Sequence, residues 1–427
     1  MERYGERDPL VQTSIDTSQF GELQLIGTVM QFKESQTSFW RRIGPGGSIT
    51  AKTVVDGDTI FIGTCDKNLY ALTLDGKEKW RFPTNGLVLE SAAVTGGLAI
   101  IGSTDGNVYA VDRATGVERW RFRTNDMVVE TVVSHAGRVF IGSEDRNLYC
   151  LDARTGGKVW AFKTAEPAVA TAAVYKNRLY FGYYGNVFYC LSLDGAVRWK
   201  FPTKNIIAAW PPAMQGGKVY FGSWDQTLYC LDAETGMLVW KHQARAPVMS
   251  PTVWEGRVFF GCWDNNIYCL DAETGERIWT FKTQGLGGSH GTVMDGVFYT
   301  SSFDNNVYAL DAVTGKERWR FKTNGFVIQV VAAGGRVYAG SWDCHLYCLD
   351  ASGKLQWTFQ SALGTPSAIS PPEAGIVRTA QITLQTGDTS PQEEKYAQQF
   401  LGAGGADSVY TFKSEYTTKS QYTMKKR

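Results

Sequence analysis

Two glutamates, Glu90 and Glu130, stand 40 residues apart at matching points of the sequence. Carboxylates that approach one another shift each other's pKa, and such pairs occur where small ligands or cations bind. In other parts of the chain that match these two stretches, the position one residue after the glutamate position is occupied by Trp210, His290 and Gln329. These five residues predict a ligand-binding site at the mouth of a channel. A water-filled channel without a function is the alternative.

A second group of residues is aromatic and precedes a recurring aspartate in the second half of the chain. Its members are Tyr184, Trp224, Trp263, Phe303 and Trp342, where the earlier segments have Cys65, Thr104 and Glu144. An exposed group of aromatic residues is typical of a binding surface, so Trp224, Trp263, Phe303 and Trp342 are candidates for partner binding. Stacking between adjacent turns is the alternative interpretation.

Cysteine and histidine provide a weaker signal. Cys344 and His345 are adjacent, and Cys65 and Cys262 lie in equivalent turns. Zinc sites usually show a Cys-x-x-Cys or a Cys-to-His spacing, which is absent here, so we predict ordinary turn residues and no metal. The recurring aspartates are predicted to cap tight turns, since calcium needs several converging oxygen ligands. No phosphate-binding loop, nucleophile elbow or metalloprotease motif occurs.

A repeat of about forty residues positions all of these side chains. Successive steps between its tryptophans are 40, 40, 40, 39, 41, 39, 40 and 38 residues. The tryptophans are Trp40, Trp80, Trp120, Trp160, Trp199, Trp240, Trp279, Trp319 and Trp357. Each unit has four short runs of alternating or β-branched residues separated by Gly, Asp and Asn turns, which indicates four strands.

Four strands per forty residues predict the blade of a β-propeller, and the spacing predicts eight blades. We expect an all-β protein whose propeller covers residues 37–360. The segment "SFWRRI", residues 38–43, is surplus to that count and can close the ring by pairing in the last blade, where it either competes with or flanks the strand "KLQWTF". Residues 1–36 are predicted to be an N-terminal extension and residues 361–409 a linker. A tail covers residues 410–427.

The segment "AVDRATGVERW", Ala110 to Trp120, fits the pattern Ala-x-Asp-x-x-Thr-Gly-x-x-x-Trp. That pattern resembles the tryptophan-docking motif of pyrroloquinoline quinone (PQQ) type propellers, and four further segments of this chain follow it. Quinoprotein dehydrogenases of that type hold PQQ and calcium in the channel of an eight-bladed propeller, near a disulfide between adjacent cysteines. This chain has no Cys-Cys pair. The repeats also resemble the outer-membrane assembly propeller of bacteria, which is a scaffold without catalytic activity.

The resemblance therefore favours a protein-interaction scaffold over an enzyme, with no bound cofactor. The alternative is a ligand-binding or PQQ-binding oxidoreductase whose site contains Glu90 and Glu130. A formal net charge of +1 gives no global field that would attract nucleic acid.

The N-terminal residues contain no apolar run of the kind found in secretory signals, and no stretch is long enough to span a membrane, so we expect a cytoplasmic protein. Cysteines recur at one position of the third strand, where other blades have alanine, which predicts a small buried side chain and a reducing compartment. These cysteines are Cys150, Cys190, Cys230, Cys269 and Cys348.

Three consecutive hexads end the chain, "YTFKSE", "YTTKSQ" and "YTMKKR". An even period matches a strand, with Tyr410, Tyr416 and Tyr422 on one face. Such a strip can add to the sheet edge of a partner or of a second copy of the protein. A disordered soluble tail is the alternative.

Overall fold

Each forty-residue repeat forms one four-stranded antiparallel sheet in the structure, which is a computed structural model. The structure describes residues 12–17, 21–26, 29–32, 47–167, 171–207, 211–288, 290–361, 378–385 and 411–414. The chain divides into two units, Pro45–Gly364 and a second one made of Met1–Gly44 with Thr365–Arg427. Among the described residues, no helix is long and apolar enough to span a membrane.

The strands are as follows, in chain order. Before the propeller come β1 (Gln12–Thr17), β2 (Gly21–Ile26) and β3 (Val29–Phe32). Blade 1 contains β4 (Val54–Asp56), β5 (Thr59–Gly63), β6 (Asn68–Thr73) and β7 (Glu78–Pro83). Blade 2 contains β8 (Ala93–Thr95), β9 (Leu98–Gly102), β10 (Asn107–Asp112) and β11 (Glu118–Arg123). Blade 3 contains β12 (Val133–His135), β13 (Arg138–Ser143), β14 (Asn147–Asp152) and β15 (Lys158–Lys163). Blade 4 contains β16 (Ala173–Tyr175), β17 (Arg178–Phe181), β18 (Val187–Ser192) and β19 (Val197–Pro202).

The second half of the ring continues in the same way. Blade 5 contains β20 (Ala213–Gln215), β21 (Lys218–Gly222), β22 (Thr227–Asp232) and β23 (Leu238–Gln243). Blade 6 contains β24 (Thr252–Trp254), β25 (Arg257–Cys262), β26 (Asn266–Asp271) and β27 (Arg277–Lys282). Blade 7 contains β28 (Thr292–Met294), β29 (Val297–Ser302), β30 (Asn306–Asp311) and β31 (Glu317–Lys322). Blade 8 contains β32 (Val327–Ala333), β33 (Arg336–Ser341), β34 (His345–Asp350) and β35 (Leu355–Gln360). After the propeller come β36 (Arg378–Gln385) and β37 (Thr411–Ser414).

The prediction of an eight-bladed all-β propeller is confirmed. Every blade is built from four strands that are consecutive in the chain and hydrogen-bonded in sequence order. The first strand of a blade is only three residues long in blades 1 to 7, and the second and third strands are almost fully buried. The core is therefore a ring of apolar clusters, each formed between the facing sheets of two neighbouring blades.

The tryptophan of each fourth strand contacts the neighbouring blade. Its indole N–H donates to a backbone carbonyl in the turn between the third and fourth strands of the next blade, at 2.9 to 3.3 Å. A glycine of the same turn lies against the ring. At Gly156, where φ is +72°, an added methyl group would come within 2.6 Å of the Trp120 ring. Glycine at this position therefore supplies both the left-handed turn and the space for the tryptophan.

The small residue of each third strand pairs directly with the tryptophan of its own blade. Cys269 is the cross-strand partner of Trp279, and Ala110 is that of Trp120. All eight residues at this position are fully buried. The eight cysteines of the chain are free and buried. A small apolar side chain leaves room for the indole ring, which is the packing role that the repeat predicted for these cysteines.

The recurring aspartate caps the turn between the second and third strands. In blade 3, one carboxylate oxygen of Asp145 accepts from the backbone N–H of Asn147 at 3.0 Å, and the other accepts from the hydroxyl of Tyr149 at 2.6 Å. The backbone N–H of Asn125, which belongs to blade 2, also donates to Asp145 at 2.9 Å. The aspartate therefore joins two blades in addition to capping its turn.

Blades 1 and 8 pack directly against each other and close the ring. The backbone N–H of Ile49 donates to Ser341 at 3.1 Å, and the indole of Trp357 donates to the carbonyl of Leu74 at 3.0 Å. Ile49, Ile60 and Tyr338 belong to one buried cluster across this junction. The segment "KLQWTF" provides the fourth strand of blade 8. The competing segment, residues 38–43, lies outside the described residues.

The strands of the second unit form a five-stranded sheet of order β3-β2-β1-β36-β37. β1 pairs antiparallel with β36, with Gln12 opposite Gln385, so strands from both ends of the chain share this sheet. These strands lie in the segments that the sequence assigns to the N-terminal extension, the linker and the tail.

Candidate functional site

Polar side chains from several blades meet at the inner opening of the ring, just before the first strand of each blade. The Nζ of Lys52, in blade 1, lies 3.0 Å from the Nε2 of His290, in blade 7. The amide of Gln329, in blade 8, donates to both carboxylate oxygens of Glu90, in blade 2, at 3.3 Å. Each contact joins two blades that are separated by one other blade, so these four side chains lie together along one side of the inner opening of the ring. We call Lys52, Glu90, Glu130, His290 and Gln329 the channel cluster.

The hydrogen bonds of His290 define its protonation. An ammonium group has only donors, so Nε2 of the ring accepts from Lys52 and Nδ1 carries the proton. Nδ1 lies 3.2 Å from the hydroxyl of Ser250, which itself donates to the carbonyl of Pro211 at 3.0 Å. Burial lowers the pKa of His290 well below its ordinary value, and the positive charge of Lys52 lowers it further. His290 is therefore a neutral imidazole in this arrangement.

Glu90 has a pKa close to neutrality. Burial raises the pKa of this carboxyl to about 7, against hydrogen bonds from Gln329 and Thr131 and the attraction of Lys52, which lower it. The hydroxyl of Thr131 donates to Glu90 at 3.0 Å. Burial in turn lowers the pKa of Lys52, whereas the charge of Glu90 raises it. Glu90 is thus poised to exchange a proton near physiological pH.

Glu130 lies beside these groups and is 5% exposed. Burial raises its pKa well above the ordinary value, and the charges of Glu90 and Glu144 raise it further. One hydrogen bond, from the hydroxyl of Thr171 at 2.8 Å, opposes this effect. Burial also raises the pKa of Glu144 to about 7. The interaction between the two predicted glutamates is therefore present in the fold, and Glu144 extends it.

Lys52 is a member that sequence reasoning missed. Its position in the repeat is otherwise filled by apolar residues or glycine: Ala92, Val132, Ala172, Pro211, Pro251, Gly291 and Val330. The single charge at this position was a usable signal. Thr131 and Thr171 were missed because threonine is common in strands and only the fold shows which carboxylate its hydroxyl reaches.

The channel cluster does not fit the quinone cofactor and calcium of the quinoprotein dehydrogenases. Calcium requires six to eight oxygen ligands that converge on one point. Among the residues described in the structure, no three His, Cys, Asp or Glu side chains converge in that way. The Lys52–His290 and Gln329–Glu90 contacts also engage the polar groups of the cluster with one another, each contact joining two blades that are separated by one other blade.

The turn cysteines Cys65 and Cys344 are close enough across the closing junction to influence each other's ionisation. Burial raises the pKa of Cys65 to about 12, and Cys344 contributes to this increase. Burial likewise raises the pKa of Cys344 to about 11. Both groups are therefore thiols at neutral pH.

The aromatic residues of the turns between second and third strands form two contact groups. The rings of Trp224 and Trp263 have centroids 5.5 Å apart, and Phe326 lies 5.4 Å from both Phe303 and Trp342. Trp263 is 7% exposed, whereas Trp224, Phe303 and Trp342 are partly buried. Stacking thus occurs, and part of each of the latter three rings still faces solvent. We call Trp224, Trp263, Phe303 and Trp342 the aromatic arc.

Two indoles of the aromatic arc have unusual surroundings. The Nε1 atoms of Trp224 and Trp263 are buried and have no hydrogen-bond partner among the described residues. A buried N–H group without a partner costs about 1–3 kcal/mol. Tyr184, in the adjoining blade, is partly buried, and desolvation of its hydroxyl together with the charges of Glu130 and Glu144 raises its pKa. Tyr184 therefore lies near the glutamates of the channel side.

Four of the predicted site residues lie outside the described residues. They are Trp210 at the channel and Tyr410, Tyr416 and Tyr422 in the tail. Their predicted roles remain predictions.

The repeats match one protein-family model over most of the chain. The model, PQQ_2, is described as "Outer membrane protein assembly factor BamB", and it matches residues 27–132, 104–209, 185–285 and 263–390. No curated protein matches the sequence.

Solved structures with the same fold are numerous. BamB from Moraxella catarrhalis is 18% identical, with a TM-score of 0.61 over 69% of this chain and 94% of that one. A computationally designed protein, Ika8, is 16% identical, with a TM-score of 0.64 over 74% of this chain and 98% of that one. At these identities the likeness concerns the fold, and a designed protein with this fold shows that the propeller alone does not define a function.

Proposed function

The chain belongs to the PQQ_2 family of repeat propellers, and we propose that it is a non-enzymatic scaffold that binds partner proteins. In this proposal one binding surface is the loop face, which we define as the turns between the second and third strands, with the aromatic arc at its centre. The second is the C-terminal tail, residues 410–427.

The aromatic arc is the observation that carries the proposal. Large aromatic residues dominate the energetics of protein interfaces, and here four of them occur in four successive blades on one face. This position is aromatic in blades 4 to 8 and has Cys65, Thr104 and Glu144 in blades 1 to 3, so the aromatic residues are confined to one side of the ring. The unpaired indole N–H groups of Trp224 and Trp263 would gain a hydrogen bond from a partner's carbonyl after a small rearrangement.

The tail proposal rests on its sequence. Five basic residues and one acid, Glu415, alternate with Tyr410, Tyr416 and Tyr422 in a strand-like period. An amphipathic strip of this kind is suited to adding a strand to a partner or to a second copy of the protein. We also propose a cytoplasmic location, which the eight free cysteines support because disulfides are rare in reducing compartments.

A pull-down from an extract of the source organism tests the loop face. We expect the variant Trp224→Lys/Phe303→Lys to lose partners that the wild type retains, because two charged side chains would replace apolar contact area. Val313→Lys is the matched control, since Val313 is an exposed apolar residue at the opposite end of a blade. Equal recovery by all three proteins would refute a role for the loop face.

A second candidate function is the binding of a small polar ligand by the channel cluster. The observation in its favour is the partly buried pair of Glu90 and Lys52, since such groups with shifted pKa values are concentrated at functional sites. Titration with PQQ and calcium tests this alternative. Saturable binding that is lost in Glu90→Ala/Glu130→Ala would favour it over a pure scaffold, and an absence of heat or spectral change would exclude PQQ.

A further inference from the structure

A cleft opens on the outer rim of the propeller where blade 5 meets blade 6. Its volume is about 390 Å³, and it is lined by Arg245, Asn266, Tyr268, Arg277 and Thr280. Arg245 follows the last strand of blade 5, and the other four residues lie on the third and fourth strands of blade 6. We call this the rim cleft. Its lining residues include no member of the aromatic arc or of the channel cluster.

The equivalent place in three other blades is filled by the protein itself. In blades 1, 2 and 7 an arginine of the fourth strand covers the ring of the equivalent tyrosine at 5.3 to 5.5 Å. The same arginine forms a salt bridge with a glutamate three residues earlier. In blade 6, Thr280 replaces the arginine and Arg277 replaces the glutamate. The tyrosine is therefore uncovered and the charge beside it is reversed.

The two arginines of the rim cleft are available to a ligand. Both are exposed, and neither guanidinium forms a salt bridge or side-chain hydrogen bond with any residue in the described part of the chain. No other blade has an arginine at either position. The residues equivalent to Arg245 are Asn85, Asn125, Ala165, Lys204, Gln284, Asn324 and Ala362, and those equivalent to Arg277 are Glu78, Glu118, Lys158, Val197, Leu238, Glu317 and Leu355.

The polar groups around the two arginines form contacts with one another and, among the described residues, no salt bridge with either guanidinium. The hydroxyl of Tyr268 donates to Asp264 at 2.6 Å, so this carboxylate is occupied within its own turn. The amide of Asn266 donates to the backbone carbonyl of Asp264. His242, which packs against Tyr268, has its pKa lowered by burial and by the charge of Arg277, and it is neutral near pH 7. An anionic group is therefore the natural complement of the cleft.

The neighbouring outer strand offers apolar surface. Met237, Leu238 and Val239 are consecutive and are 69%, 44% and 45% exposed. No other blade has three consecutive apolar residues of this size where its fourth strand begins, counting the residue just before the strand. β23 is the edge strand of its sheet among the described residues, and about 23 Å of extended chain separates Leu238 from Arg245. A segment of about seven residues would therefore span both features.

We infer that the outer rim of blades 5 and 6 binds an extended segment of a partner protein, which pairs along β23 and places an aspartate or glutamate between Arg245 and Arg277. Arginine binds carboxylates through two parallel hydrogen bonds, and edge strands are common sites of strand addition. A net charge of +1 and an apolar edge favour a peptide over a nucleic acid, whose binding requires many phosphate contacts. The inference deepens the proposed scaffold function, on which it rests.

The test uses a phage-displayed library of random nine-residue peptides, selected on the full-length wild-type protein. Counter-selection uses Arg277→Glu/Thr280→Arg, which installs the glutamate–arginine pair of blades 2 and 7 and so covers Tyr268. The selected peptides are then synthesised with a dye, and their affinities are measured by fluorescence anisotropy. Circular dichroism and thermal unfolding verify that every variant is folded.

We expect the selected peptides to carry an acidic residue beside apolar ones. Arg245→Ala and Arg277→Ala should each weaken binding at least about tenfold, as expected for a charge-assisted hydrogen bond. Arg198→Ala, which removes an exposed arginine of blade 4, should leave the affinity unchanged. Peptides without acidic enrichment, equal affinity in Arg277→Glu/Thr280→Arg, tighter binding of a twelve-nucleotide single-stranded DNA, or a failed selection would each overturn the inference.

The experiments distinguish a failure of the proposed loop-face function from a failure of the rim-cleft inference. The variant Trp224→Lys/Phe303→Lys should bind the selected peptides as the wild type does, because its substitutions lie outside the cleft. Loss of partners by that variant together with failed peptide selection would refute the rim cleft alone.

Discussion

Glu130 illustrates how a single residue can matter in a fold that is otherwise built from recurring parts. Most positions near it serve the blade, whereas its carboxyl is buried next to Glu90 and Glu144. In the unfolded chain this carboxyl ionises near its ordinary pKa of 4.5. The folded protein holds this proton more tightly than the unfolded chain does. Protonated Glu130 therefore contributes fully to the stability of the fold below pH 4.5, and this contribution is lost as the pH rises through the raised pKa of the folded protein.

Between pH 5 and pH 8, the free energy of unfolding of the variant Glu130→Gln should therefore decrease less than that of the wild type. Glutamine keeps the acceptor for Thr171 and has no proton to release. At pH 8 we expect the variant to be more stable than the wild type, because glutamine stays uncharged in this buried place, where ionisation of Glu130 is opposed. Thermal and urea unfolding at both pH values measure this difference. Glu276→Gln, at an exposed turn position, is the control, and an equal change in both variants would contradict the expectation.

At the scale of single residues, the sequence identified those whose type differs from the type at the equivalent position of other blades. Glu90, His290 and Gln329 were identified because neighbouring blades have different residue types there, and the structure brings them together. The tyrosine that completes each aspartate-capped turn was not identified, because a tyrosine at every third strand looks like ordinary core packing. Only the fold shows that the hydroxyl of Tyr149 returns to Asp145.

At the scale of the blade, the junctions between neighbouring sheets hold the ring together. Each junction combines a tryptophan, a carbonyl that accepts from its indole, and a glycine against its ring. The same arrangement closes the ring between blades 8 and 1 through Trp357, Leu74 and Gly76. No strand from another part of the chain is needed in either of these two blades.

Two contributions of glycine to stability can be measured separately: the room that it leaves for the tryptophan ring and its positive φ. Gly156 and Gly137 have φ values of +72° and +74°, but an added methyl group meets the Trp120 ring at Gly156 and nothing within 4 Å at Gly137. Both Gly156→Ala and Gly137→Ala should lose stability from the strained φ. Gly156→Ala should lose about 1–3 kcal/mol more, because the tryptophan must shift. Equal losses in urea unfolding would show that the ring contact contributes little.

The sequence predicted the strands and turns of the blades because alternation, glycine and aspartate recur with a constant period. It left the closing strand undecided, since "SFWRRI" and "KLQWTF" have the same local pattern. The closing strand is the segment that pairs with β34. The sequence pattern does not specify this pairing, because the two segments have the same alternation of residue types. The structure assigns it to β35.

At the scale of the molecule, the ring offers three separate surfaces that depart from the repeat. They are the channel cluster, the aromatic arc and the rim cleft. The number of blades followed directly from the tryptophan spacing, whereas the identity of a partner depends on the partner's own chemistry. The rim cleft was not found from the sequence, because Arg277 and Thr280 are ordinary outer-strand residues until they are compared with the salt bridges of other blades.

Deletion of residues 410–427 tests the tail as a separate binding element. We expect the melting temperature to stay nearly unchanged, because the core clusters lie within the propeller. Recovery of partners in the pull-down should be lost. Undiminished recovery, at equal protein concentration, would show that the tail is dispensable for binding.

Hydroxyl-radical footprinting of the protein with and without a recovered partner tests the central claim most directly. The method reports the solvent access of individual side chains. We predict that oxidation of Trp224, Phe303 and Trp342 decreases when the partner binds, whereas oxidation of Trp319 and Trp357, on outer strands of blades 7 and 8, stays constant. Unchanged oxidation of the aromatic arc in a verified complex would contradict the proposal that the loop face binds partner proteins.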